Sequence, residues 1–144
     1  MIVFLVIVLI IVCLKIFSVL WMSREFGSFD SEKNDILERR NYLVSKLVTT
    51  PQKVLNAMPS GIGTQFQGEW ALYSCSMLSA ALVNISHLYP ETKGENLKHI
   101  DRLINIVMSP EMRYYDKMRW NEDPLESLNG DNSHVSYLSH LAWM

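Results

Sequence analysis

Two polar clusters hold the side chains whose types and spacing could do chemistry. One is Gln67, Glu69, Trp70 and Tyr73, at the opening of a long apolar stretch. The other is Asp131, His134, Tyr137 and His140, at the opening of the last apolar stretch, with Trp120, Glu122 and Asp123 in the segment before it. His134 and Tyr137 are three residues apart, as are Tyr137 and His140, so on a helix each pair can share a face. A carboxylate, an imidazole and a phenol gathered at helix N-termini suit proton transfer to or from a bound ligand.

Each of these residues also has a plainer explanation. Asp123 and Asp131 fit as helix N-caps. Tyr73 and Tyr137 fit as amphipathic fillers that need one hydroxyl partner, and Trp70 as core. Glu69, ahead of an almost wholly apolar helix, either caps that helix or faces a cavity. His134 and His140 fit as satisfied structural histidines. The strong signatures are absent: no HExxH, no paired CxxC, no Walker loop, no GxSxG and no sustained heptads. The NGDNSH run lacks the alternating acids and the later glutamate of a calcium loop. No metal or cofactor is therefore assigned. Asn84-Ile85-Ser86 is a glycosylation triplet, set aside because it falls in a helix expected to be buried.

The elements that must position these clusters are helices. Ile36, Leu37, Leu43, Val44, Leu47 and Val48 form a stripe at helical spacing, capped by Asp30 or Ser31 and ended at Thr50-Pro51. A Gly-rich turn, PSGIGTQFQG, leads to Glu69 and then to WALYSCSMLSAALVNISHLY, a buried helix whose small residues admit close neighbours. A one-sided helix follows from about Lys93 to Met108, with Leu97, Ile100, Leu103, Ile104 and Val107 on its stripe. Ser109-Pro110-Glu111 opens a short helix through Met118. Asp123-Pro124 caps one turn that Asn129-Gly130 closes, and Asp131 or Ser133 starts the terminal helix. No period-two strand pattern occurs, so the expected class is all-α, built of antiparallel helical hairpins. If the helices alternate direction and the short one belongs to a connection, the two cluster-bearing helices run parallel and both clusters lie at one end.

Of the 144 residues, 49% are hydrophobic and 19% charged, and the apolar excess is concentrated at the start. Residues 1–22 contain only Lys15 and Ser18 as clearly polar positions, about the length a helix needs to cross a bilayer. With no basic n-region and no small-residue cleavage site, they are expected to remain as a single-pass signal-anchor in lipid, with 23–30 as linker and 31–144 as the helical domain. Arg24, Lys33, Arg39 and Arg40 follow the span, but with no flank before it the side of the membrane stays open. Thirteen basic against fifteen acidic residues give no surface for a phosphate backbone, so nucleic acid is not an expected partner. Cys13 and Cys75 cannot form a disulfide framework in the helical domain.

GEWALYSCSMLSAALVNI followed by WNEDPLESLNGDNSHVSYLSHLAWM resembles the beginning of an α/α-toroid, the barrel of helical hairpins found in carbohydrate-active enzymes and linalool dehydratase/isomerase-like proteins. The likeness spans roughly residues 30–144, and the toroid hosts many chemistries. It implies a partial barrel with a ligand at the N-terminal ends of inner helices. In the enzyme this implies, Glu69 or Asp131 is the acid/base group and His134 its partner. Trp70 or Trp120 stacks on a glycan or another small hydroxylated substrate, and Tyr73, Asp123, Tyr137 and His140 line the site. The uncapped stop at Trp143-Met144 fits a chain cut short at its C-terminus. The alternative is a non-catalytic, membrane-anchored helical module for binding or scaffolding, in which both clusters are caps and core hydrogen bonds. Oligomeric state is not readable at this level.

Overall fold

The computed structural model describes residues 2–25, 29–61, 63–126 and 132–144. Among these residues it contains seven α-helices and no strand, in keeping with the helical periodicity. They are α1 Ile2–Glu25, α2 Phe29–Leu47, α3 Pro51–Ala57, α4 Thr64–Leu88, α5 Lys93–Val107, α6 Pro110–Trp120 and α7 Val135–Trp143, with one 3₁₀ turn at Pro90–Thr92. The chain divides into two compact units, residues 1–39 and 40–144.

In the first unit, α1 continues to Glu25, past the expected end of the apolar segment. Val6 and every residue from Val8 to Leu20 are exposed, and in that stretch only Lys15 and Ser18 interrupt the apolar side chains. The start of α2 differs from expectation. It begins at Phe29, which puts Asp30 and Ser31 inside the helix and not at its cap.

The second unit is built around α4, which packs against α3, α5, α6 and α7. By length and composition α4 is long enough and apolar enough to cross a membrane. Here it is a core helix: Ala71, Leu72, Cys75, Leu78 and Leu82 join Leu47, Val54, Leu103, Val107, Met112, Tyr115 and Tyr137 in one buried cluster. Its other side is open, and Phe66, Trp70, Met77 and Leu88 are exposed. Asn84 is exposed too, contrary to the expectation of burial, though it sits well inside the helix. Leu97 of α5 likewise leaves the expected stripe for solvent.

Several boundaries follow local chemistry. Ser109 caps α6 by accepting a hydrogen bond from Met112 N at 3.4 Å, with Pro110 at the first helical position. Pro51 similarly opens α3, a helix absent from the sequence expectation, which Val54 anchors in the core. The expected Gly-rich turn is also shorter than predicted, because α4 starts at Thr64 and includes Gly68. Glycine is a poor helix residue. At this position a Cβ would lie 2.6 Å from Cβ and Cγ of Tyr115, so the approach of α6 to α4 requires its absence.

A fully buried asparagine ties three helices together. Asn96, on α5, donates through Nδ2 to Leu82 O at 3.2 Å and Ser86 Oγ at 2.9 Å on α4, and to Thr92 Oγ1 at 3.0 Å. Its Oδ1 accepts from Nε of the buried Arg40 at 2.8 Å, and Arg40 also reaches Glu95 at 2.7 Å. The Arg40 hydrogen bond, partly offset by burial, holds the Glu95 carboxyl below its usual range. Asn96→Ala leaves the Arg40 guanidinium without one partner in a buried site. It is expected to cost about 2 kcal/mol, measured by urea unfolding; a loss under about 0.5 kcal/mol would show that the junction is dispensable.

Candidate functional site

The connection from α6 to α7 is fastened to α6 by charged side chains. Met112, Tyr115 and Asp116 recur at helical spacing on the buried side of α6, together with Arg113. Arg113 donates to Met108 O at 2.7 Å, to the Asp123 carboxylate at 2.9 Å and to Glu126 Oε1 at 2.6 Å. Asp123 also accepts from Leu125 N at 3.1 Å, and Lys117 Nζ lies 3.6 Å away. Burial alone would raise the Asp123 carboxyl. The Leu125 amide and the Arg113 and Lys117 charges outweigh burial and hold it below the usual carboxylate range.

Asp116 reaches across to α7, where its Oδ2 meets Nδ1 of His134. The His134 side chain is 1% exposed and that of Asp116 is 3% exposed, so the pair is sealed. The other ring nitrogen, Nε2, has no hydrogen-bond partner among the described residues. The nearest carboxylate oxygen recorded for it is Glu122 Oε2 at 4.0 Å, beyond hydrogen-bond reach. Glu122 accepts from Asn132 Nδ2 at 2.6 Å, and the Trp120 ring meets the His134 ring edge-on at 6.2 Å. The Tyr115 hydroxyl is also buried, and burial followed by the Asp116 charge pushes its pKa upward against the opposing effect of Ser136.

A second polar group lies where α7 crosses α4. Tyr73 OH and Ser136 Oγ are 3.1 Å apart, and Ser76 Oγ is 2.7 Å from His140 Nδ1. The Tyr73 and His140 rings pack at 4.3 Å. Positions 73 and 76 of α4 ascend with 136 and 140 of α7, so the two helices run parallel, as the sequence argument required.

The candidate residues thus separate. His134 and Trp120 lie together with Asp116 and Glu122; Tyr73 and His140 form the neighbouring group. Glu69 is 3.6 Å from Arg119 Nη1, and Arg119 lies over the Trp120 ring at 5.2 Å. Asp123 is engaged by Arg113. Trp70 is 53% exposed and outside the core it was expected to join. Tyr137 is fully buried and donates to Val107 O at 2.9 Å, with burial pushing its phenol up to about 12. Asp131 lies outside the described residues. At the start of α7, His134 occupies the cap position, makes no side-chain cap bond, and leaves Ser133 exposed outside the helix. Asp116 and Arg113 were not singled out in the sequence. Their signal was there: both fall on the core-facing side of a helix that also carries Met112 and Tyr115.

Among the described residues no group of three or more His, Cys, Asp or Glu side chains is placed to hold a metal ion. The chain matches no protein-family description, no curated protein and no solved structure.

Proposed function

We propose that the protein is a single-pass membrane protein whose helical unit is a binding module. One contrast carries the reading: the Asp116–His134 pair is closed to solvent, whereas an open apolar groove of about 710 Å³ lies elsewhere, between α2, α3 and α4. A ligand can enter the second and not the first. The exposed apolar side chains of residues 8–20 of α1 support insertion in a bilayer, because water leaves so much hydrocarbon uncovered only at a large cost. Anchoring predicts retention in the membrane pellet after alkaline carbonate extraction. Release into the supernatant refutes it.

The unpaired Nε2 of His134 favours a second reading. Asp116 orients the imidazole and Nε2 serves as the acid/base atom, in a toroid-like enzyme acting on a glycan or another small hydroxylated molecule. The two readings differ in access. Treatment of the folded protein with diethyl pyrocarbonate, followed by peptide mass mapping, is expected to modify the exposed His87 and leave His134 intact. Modification of His134 at a comparable rate favours the enzyme.

A further inference from the structure

We infer that the groove between α2, α3 and α4 is a site for a long-chain fatty acid taken from the membrane, with Lys46 holding its carboxylate. The inference rests on the binding-module reading and names its ligand. Tyr42, Leu43 and Leu47 form one wall, Ala57 and Met58 one end, and Ser74, Met77, Leu78 and Ala81 the α4 wall. Positions 74, 77, 78 and 81 share one face of α4. Small side chains at 57, 74 and 81 give the groove its depth. Met58 and Met77 supply adaptable apolar contacts suited to a flexible chain.

Charge argues for the class of ligand. Among the described residues Lys46 is the only charged side chain lining the groove. Its ammonium rests over the Tyr42 ring, 5.4 Å from the centroid, which places the cation beside the groove wall. Ser74 Oγ already donates to Met58 Sδ at 3.8 Å, so besides Lys46 the polar side chain left on the lining is that of Tyr42. A hydrocarbon surface with one cation at its edge is complementary to an amphiphile with one anionic head, and a carboxylate paired with an ammonium gains a charge-assisted hydrogen bond. The volume falls within the range of sites for ligands of this size.

The test uses the full chain in nanodiscs of zwitterionic phospholipid, labelled with a diazirine-bearing palmitate and mapped by mass spectrometry. Labels are expected on peptides covering 42–58 and 74–81, chased by palmitate at least roughly tenfold more effectively than by hexadecanol. Lys46→Glu, at an exposed position, should lower labelling about tenfold, with helicity unchanged by circular dichroism. Ala81→Trp should abolish labelling by filling the groove. Labelling spread along the chain, an equal chase by hexadecanol, or full labelling of Lys46→Glu overturns the proposal. So does cross-linking of the groove to a second copy of the chain. Carbonate extraction separates the two failures: a retained but unlabelled chain removes the groove ligand, and a released chain that still labels removes only the anchor.

Discussion

Replacing Arg113 by alanine is expected to destabilise the helical unit by about 3–5 kcal/mol, because it leaves the Asp123 carboxylate buried without its guanidinium. The arginine is buried and spans Met108 O, Asp123 and Glu126, so one side chain joins the start of α6 to the segment after its end. Removing both charges as Arg113→Met with Asp123→Leu should recover most of the loss, since two apolar groups leave no buried ion. The pH dependence follows in sign. Asp123 has a folded pKa below its unfolded value, so its contribution is present above the ordinary carboxyl range, near 4. It is lost as the pH falls through the lowered folded value. The stability gap between wild type and Arg113→Ala should therefore narrow in acid. Urea unfolding at neutral pH and near pH 3 checks both statements; a gap that widens in acid would refute the assigned pairing.

The second large effect is at Gly68. On an exposed helix, glycine to alanine gains up to about 1 kcal/mol. Here the sign is reversed, because the new methyl would sit against the base of the Tyr115 side chain, which cannot swing away without moving its own backbone. Gly68→Ala is expected to cost about 3 kcal/mol, at the upper end of overpacking. Tyr115→Ala alone should cost a similar amount through its cavity. In the double variant the two should be strongly non-additive, since either change removes the clash or the void. Additive losses would mean that α4 and α6 do not meet at these residues.

The candidate site was legible only in part. Tyr73, Trp120, His134 and His140 were chosen from residue type and helix direction, and each has a partner across the α4, α6 and α7 junction. Asp123 was chosen too, but its partner Arg113 was not, and Asp116 went unnoticed because an acid within MRYYDKMRW reads as surface until the buried side of α6 is known. The Asp116–His134 contact spans 18 positions and the Arg40–Asn96 contact 56. No local pattern encodes either separation.

What the amino-acid order determines alone is local. Helical periodicity, the Ser109-Pro110 cap and an apolar run of membrane-spanning length each depend on interactions within a turn or two, so they survive without knowledge of the rest. The partners of Arg40, Asn96, Arg113, Asp116 and His134 were decided by tertiary structure. A buried polar group must be satisfied by whichever group packing brings to it, and that is settled only when the helices close around α4. The same holds for the apolar residues left over. Leu43, Met77 and Leu97 look like core in sequence, and only the arrangement of neighbouring helices leaves them uncovered, two of them lining the groove.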